Sequence, residues 1–173
     1  MKAIVIGEDK SLSWQELDSE SAPGPSQVAI KVHATAVNRA DLMQRAGLYP
    51  PPPGASAVLG LECAGEISAV GSDVSQWQVG DRVCALLAGG GYAETVVCHA
   101  DHVLPIPARF SFSDAAALPE VFATAWLNLF MLAELKPGQK VLLHAGASGV
   151  GTAAIQLCKA MGNPVFVTVG DQS

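Results

Sequence analysis

Short apolar stretches broken by glycine, proline and charge fill the chain from Met1 to about Phe112, and a helical period replaces them from Ser113 onward. The first pattern predicts an irregular β-rich region with strands over Lys2–Gly7, Gln27–Val37, Leu59–Val70, Arg82–Leu87 and Tyr92–Cys98. Gln27–Val37 alternates most cleanly. Val28, Ile30, Val32 and Ala34 share one face, and Lys31, His33 and Thr35 share the other. Gly24-Pro25, Gly71-Ser-Asp73 and Gly80-Asp81 mark turns. The acidic run Glu8–Glu20 reads as a solvated face. Asn38–Ala46 predicts one or two helical turns stopped at Gly47, and Tyr49 with the prolines 50–53 forms a stiff extended loop. That loop is either a rigid connector or a cleft wall presenting Tyr49.

In the second region Ser113-Asp114 predicts an N-cap, and Pro119 suits the first turn of a further helix. Ala125, Leu129 and Leu132, with Phe122 and Trp126, fall at helical spacing and read as core. Val141–Leu143 reads as a buried strand, followed by the turn Ala145–Gly151 and a helix with Val150, Ala153, Ala154, Leu157 and Met161 along one stripe. Gly162 suits its C-terminal stop, and Pro164–Val169 reads as a second strand. The strand–helix–strand length fits one right-handed parallel crossover. Two parallel strands leave a face and both edges open, so the expectation is a fragment of a longer protein.

Composition narrows the class. Half of the 173 residues are hydrophobic and 15% are charged, which excludes a disordered polyelectrolyte. A net charge of −6 without a basic patch argues against nucleic acid as a partner. The N-terminus does not read as a signal peptide, and the apolar stretch Val121–Ala133 falls short of a membrane span, so no membrane partner is expected. Cys63, Cys84, Cys98 and Cys158 lack paired spacing, which reads as reduced, buried thiols and a cytoplasmic location.

The chemistry-bearing motif is the glycine-rich turn. Between a strand and a helix, Gly146, Ser148, Gly149, Val150 and Gly151 can turn main-chain N–H groups at the positive helix end toward a pyrophosphate. Glycine keeps side-chain bulk away from such a ligand, and the Ser148 hydroxyl can add a bond. A tight turn without a ligand is the bland alternative.

The run Gly138-Gln139-x-x-Leu142-x-x-x-Gly146-Ala147-Ser148-Gly149-x-Gly151, continued by Gln156 and Lys159, resembles the quinone oxidoreductase/zeta-crystallin branch of the medium-chain dehydrogenase/reductases. Ser148 stands where that pattern usually has Gly. The tumour-suppressor-inducible quinone oxidoreductases carry Ser there, and their N-terminal half is similar to Asn38–Arg45, Tyr49, Pro51–Ala55 and Leu59–Glu62. The resemblance covers essentially the whole chain. It implies a mixed fold: a GroES-like β-rich catalytic domain over residues 1–120, then over 121–173 the first βαβ of an incomplete nucleotide-binding Rossmann domain.

It further implies a zinc-independent, NADPH-dependent quinone oxidoreductase. Zinc-dependent relatives place Cys in a C-x-x-D segment and His in a G-H-E segment. Here Asn38 precedes Asp41 and Leu61 lies between Gly60 and Glu62, so neither can ligate zinc. Cys98-His99 with His102 lacks a fourth ligand, and no metal is expected. His33 and His144 read as ordinary strand residues. In family members the positions of Asn38, Tyr49 and Thr124 line the nicotinamide side. Tyr49 is the candidate catalytic and substrate-binding residue, by stacking or donating, unless it packs on the prolines. Arg45 and Glu62 lie near the cleft by analogy, or serve as hinge ion pair or backbone partner. Gly170 stands where NAD-selective sheets carry a carboxylate, which favours NADPH, although Asp171 follows. The acceptor is a quinone or another small electrophile, and the intact protein is expected to be a homo-oligomer. The rivals are an enone or enoyl-thioester reductase and an inactive truncated module.

Overall fold

The computed structural model describes residues 1–18 and 22–170. The chain divides into two compact units, Met1–Pro119 and Glu120–Ser173.

The first unit is built on a five-stranded antiparallel sheet. Its strands are β3 (Gln27–Thr35), β4 (Glu62–Val70), β5 (Arg82–Leu86), β6 (Thr95–His99) and β7 (Val103–Pro105), in the order β6-β3-β4-β5-β7. Beside it β1 (Lys2–Ile6) and β2 (Leu12–Glu16) form a hairpin, tied on through an isolated bridge from Ala3 to Ala93. One face of the sheet carries the main core, with Val28, Ile30, Cys63, Ile67, Val83 and Val96. Each fully buried aliphatic side chain there contributes about 1.5–3 kcal/mol by leaving water. Against the other face, helix α2 (Phe112–Ala116) packs Ala115 and Ala116 on Ala64, Cys84 and Ile106. Phe112 is held between the His33 ring, stacked at 4.4 Å, and the Arg82 guanidinium, 4.7 Å from its centroid. Helix α1 (Arg39–Arg45) follows β3 and stops where Gly47 takes φ +78°. All four cysteines are buried and none is in a disulfide.

In the second unit α3 (Pro119–Trp126) runs into a π-helical segment, Leu127–Leu132. Next come β8 (Val141–Leu143), α4 (Gly149–Ala160) and β9 (Val165–Val167), with β8 and β9 paired in parallel. Ala125 packs on Ala153 and Ala154, with Val121, Phe122, Leu129, Leu143 and Leu157 around them. A parallel βαβ unit is therefore present as the spacing predicts.

Several expectations are corrected. Leu12–Glu16, inside the acidic run read as a solvated face, is an added strand that is mostly exposed, in keeping with that reading; Ser19 and Glu20 of that run lie outside the described residues. Val103–Pro105 is a further strand. Leu59–Leu61 and Tyr92–Glu94 are not strand: backbone bonds from Leu87 to Leu61, Gly91 to Gly60 and Tyr92 to Leu59 join them as facing turns. The N-cap of α2 is Ser111 rather than Ser113-Asp114, because Ser111 Oγ accepts the Asp114 N–H (3.1 Å) while Asp114 Oδ2 accepts the Ser111 N–H (3.0 Å). Trp126 (44% exposed) and Leu132 (69%) are not core. The widened i→i+5 turns of the π segment carry Leu132 off the 3.6-residue stripe. Of β8 only Val141 is buried, since the two-stranded sheet leaves Leu142 and Phe166 uncovered, and Val150 and Met161 at the ends of the α4 stripe are exposed. By length and composition alone the segment Phe112–Leu132 (21 residues, mean hydropathy 1.4) is long and apolar enough to cross a membrane, a longer stretch than Val121–Ala133. It is turned at 117–118, and Ala115 and Ala116 are spent on the first unit's core.

The reciprocal cap predicts that Ser111→Ala lowers stability by about 1 kcal/mol in denaturant unfolding. Its hydrogen bonds hold the Asp114 carboxyl below the usual carboxylate range. The stability that cap lends is present above the ordinary carboxylate pKa and lost as pH falls through the depressed one. In Ser111→Ala the NMR titration of Asp114 should move up to the ordinary range; an unmoved titration contradicts the cap.

Candidate functional site

The glycine-rich turn in the second unit shows which of its amides are spoken for. Gly146 N–H bonds to Thr168 O (2.9 Å), Ser148 N–H to Ala145 O (2.9 Å) and Thr152 N–H to Ser148 O (2.8 Å). Ser148 is the N-cap of α4, and its Oγ accepts the Gly151 N–H at 3.0 Å. The N–H groups of Ala147, Gly149 and Val150 have no partner among the described residues, and all three residues are exposed. They open a twelve-residue helix whose positive end favours an anion. A diphosphate therefore fits: three bare amides, and a capping hydroxyl whose proton is still available to donate.

The glycines also serve the packing of the turn itself. A Cβ on Gly146 would lie 2.6 Å from Val167 Cβ, and one on Gly151 would lie 2.5 Å from Ala145 O and 2.8 Å from Gly146 Cα. Both are required by the chain's own close packing of turn, strand and helix. Gly149 is less confined, its Cβ meeting one side-chain methyl, Val121 Cγ1, at 3.1 Å. His144 closes the turn's other side, Nδ1 lying 3.1 Å from Thr168 Oγ1. Thr124 is half-buried on α3, 3.4 Å from Glu120 Oε1, and its carbonyl accepts from Asn128 Nδ2 at 2.8 Å. Gly170 is exposed with open space around its Cα, whereas Asp171 lies outside the described residues.

In the first unit Asn38 joins a buried polar network. It precedes α1, where its N–H donates to Asp41 Oδ2 at 2.7 Å. Its Nδ2 donates to Glu62 Oε1, also at 2.7 Å. Asp41 is 2% exposed and Glu62 1%, so both carboxyl groups lie inside, with donors at Asp41 Oδ2 and Glu62 Oε1, while Asp41 Oδ1 has no hydrogen-bond partner among the described residues. Tyr92 Oη donates to Asp41 Oδ2 at 2.9 Å, and Thr35 Oγ1 donates to the Glu62 main-chain oxygen at 2.7 Å. Burial, then the bond to Asp41 and the nearby negative charges, push the Tyr92 phenol well above its ordinary pKa. Gly60 fits against Tyr92 only without a side chain, since at φ +104° its Cβ would meet the ring at 2.6 Å.

Glu62 thus resolves into a side-chain partner of Asn38. Arg45 bonds a backbone carbonyl instead, its Nε donating to Lys10 O at 2.6 Å. Sequence reasoning misses Tyr92 as a site residue, because it reads as the start of a strand, and Asp41 enters there only through its spacing from Asn38. Tyr49 is 44% exposed beside Leu48, which is 72% exposed, so its ring is available. His99 accepts the Asp101 N–H at Nδ1 (3.2 Å), and its ring lies 5.8 Å from that of His102. Both line a groove of about 580 Å³ with Gln27, Ser56, Val96 and Cys98. Among the described residues no three His, Cys, Asp or Glu side chains gather to hold a metal.

With this geometry in hand, the comparisons are informative. Residues 24–108 match the alcohol dehydrogenase GroES-like domain. That match and the likenesses below support a fragment similar to the N-terminal part of quinone-oxidoreductase-like members of the medium-chain dehydrogenase/reductase superfamily. It is 43% identical over 162 residues to the synaptic vesicle membrane protein VAT-1 homolog of Danio rerio, an alignment spanning 91% of this chain and 33% of that protein. Among solved structures it is similar to the CurK enoyl reductase (TM-score 0.88, 38% identity, 98% of this chain and 54% of that one). It is also similar to the Escherichia coli quinone oxidoreductase complexed with NADPH (TM-score 0.85, 35% identity, 99% and 53%). The chain spans about half the length of the structures it matches.

Two predictions follow from the close contacts. Gly151→Ala drives its Cβ into backbone and should cost about 2–3 kcal/mol, whereas Gly149→Ala should change denaturant stability by less than about 1 kcal/mol; equal costs would contradict the packing. In Tyr49→Phe, Tyr92 is the one remaining tyrosine. Its ultraviolet titration should lie above the ordinary phenol pKa of about 10. The stability it lends is complete below the ordinary value and lost as pH rises through the higher folded one. Titration at the ordinary value contradicts the Asp41 bond.

Proposed function

We propose that the protein carrying this chain is a zinc-independent, NADPH-dependent oxidoreductase that reduces a quinone. The observation that carries the reading is the trio of bare amides at Ala147, Gly149 and Val150, opening α4 directly after a parallel strand. Similarity to a quinone oxidoreductase complexed with NADPH supports it.

Each residue has a definite task in this reading. The three amides and the Ser148 hydroxyl hold the cofactor's diphosphate against the positive helix end. Gly146 and Gly151 belong to this cofactor-binding turn and hold it in the shape that leaves those amides bare. The open space at Gly170 leaves room for a 2′-phosphate. Asn38 and Thr124 serve the nicotinamide side, and the exposed ring of Tyr49 stacks on the flat acceptor. The reduced nicotinamide supplies the hydride. Asn38 and Leu61 offer no zinc ligand where zinc-dependent relatives have Cys and His, so no Lewis acid is assigned. The protein is further proposed to act in the cytoplasm as a homo-oligomer.

A second reading, reduction of an enoyl thioester, is favoured by the likeness to CurK enoyl reductase. The two separate in one assay. NADPH oxidation by the purified protein should be fast with a naphthoquinone and slow with an enone or a crotonyl thioester. Preference for the thioester replaces the first reading with the second, and stoichiometric zinc by elemental analysis refutes zinc independence.

A further inference from the structure

We infer that the groove beside β6 is a binding site for a small organic anion, with a carboxylate or phosphate head on a compact apolar body. Among the described residues, its lining lies within the first unit and includes none of the glycine-rich turn or the Asn38 network. The inference therefore goes beyond the function proposed above and does not depend on it.

At about 580 Å³ the groove has the size of a small-molecule site. One wall is β6, the edge strand of the five-stranded sheet. Residues 54–56 and 87–89 supply the other. These two segments are locked together. Gly90 N–H donates to Val58 O at 2.7 Å, and a Cβ on Gly89 would lie 2.7 Å from Ser56 O. The groove is thus formed by the fold itself. Leu87, Ala88 and Val96 give it apolar surface, and no Lys, Arg, Asp or Glu is among the described residues that line it.

The chain's own hydrogen bonds decide which polar atoms the lining residues have left. Gln27 and His99 are directly opposite each other across β3 and β6, so their side chains stand side by side on one face. Gln27 Oε1 accepts the Gly24 N–H at 2.9 Å. A main-chain N–H only donates, which fixes the amide's orientation and leaves Nε2 as a free donor. His99 Nδ1 accepts the Asp101 N–H at 3.2 Å, so the neutral ring carries its proton on Nε2. Protonation adds a proton at Nδ1, where Asp101 Oδ2 lies 3.6 Å away, and Nε2 remains a donor. Ser56 Oγ accepts the Val58 N–H at 3.2 Å, and its own proton has no acceptor among the described residues. His102 stands beside His99, with ring centres 5.8 Å apart, and can present a further N–H.

Three side chains therefore offer donors, while the acceptors of Gln27 and His99 are engaged inside the chain. A carboxylate or phosphate supplies the matching oxygens, which only accept, and its bonds to these donors are charge-assisted. A cation would meet no carboxylate along the lining.

The test titrates benzoate, phenylphosphonate and benzylammonium, a cation of the same shape, into the full chain and follows side-chain NMR. At least one of the two anions should shift the Gln27 side-chain amide and the His99 ring saturably, and the better of them identifies the head group. Benzylammonium should leave both in place. Gln27→Glu keeps an acceptor for the Gly24 N–H but replaces the donor by negative charge, and should weaken the anion at least about tenfold. His99→Asn keeps an acceptor for the Asp101 N–H, loses the Nε2 donor and should weaken it by a similar factor. Failure of both anions to bind, equal binding of benzylammonium, or shifts confined to Ala147, Gly149 and Val150 overturns the inference. So does unchanged anion affinity in both variants. Should the variants not fold, ligand-free wild type decides: the ring-nitrogen shifts of neutral His99 should place its proton on Nε2, and a proton on Nδ1 overturns the proposal.

Discussion

Everything in the second unit depends on a strand becoming a helix within a turn so tight that backbone presses on backbone. Gly151 sits against Ala145 O and Gly146 Cα, and Gly146 sits against Val167, at separations that leave no room for a Cβ. That compression consumes the N–H groups of Gly146, Ser148, Gly151 and Thr152 internally. What remains at the helix start is the set the chain itself cannot satisfy, on Ala147, Gly149 and Val150. An α-helix always leaves its first N–H groups without intrahelical partners; here the turn determines which of them face solvent together.

The first unit shows a contrasting arrangement, in which buried polar groups meet one another inside the chain, with Asp41 Oδ1 left without a hydrogen-bond partner among the described residues. Asp41 and Glu62 are buried carboxylates, and both reach Asn38, one through its main chain and the other through its side chain. Tyr92 and Thr35 supply further donors from distant strands and turns. Removing one partner from such a network leaves a buried polar group unsatisfied, which costs more than the bond is worth in isolation. The network holds Asn38 through its main-chain N–H and its side-chain amide.

Much of the fold was readable because it is local. The alternation over Gln27–Thr35, the stop at Gly47 and the strand–turn–helix of β8 and α4 each follow from residues close in sequence. The errors have definite physical sources. Ser111 and Ser113 both precede a helical stretch, but only Ser111 has an acidic residue three positions on, and that reciprocal pairing chose the cap. Leu132 left the predicted core because a π segment changed the period mid-helix, which the spacing of apolar residues does not announce. The Gly146 and Gly151 requirement was visible, but its packing reason was not, since the atoms they avoid include Val167, far along the chain. Tyr92 was invisible as a site residue for the same cause: its bond to Asp41 spans 51 residues.

The account stands or falls on the three open amides, and backbone-amide NMR reads them directly. Adding NADPH should shift the N–H resonances of Ala147, Gly149 and Val150 strongly while leaving those of Gly146 and Thr152, bonded within the chain, nearly in place. Unmoved resonances at all three, with NADPH bound elsewhere or not at all, would contradict it.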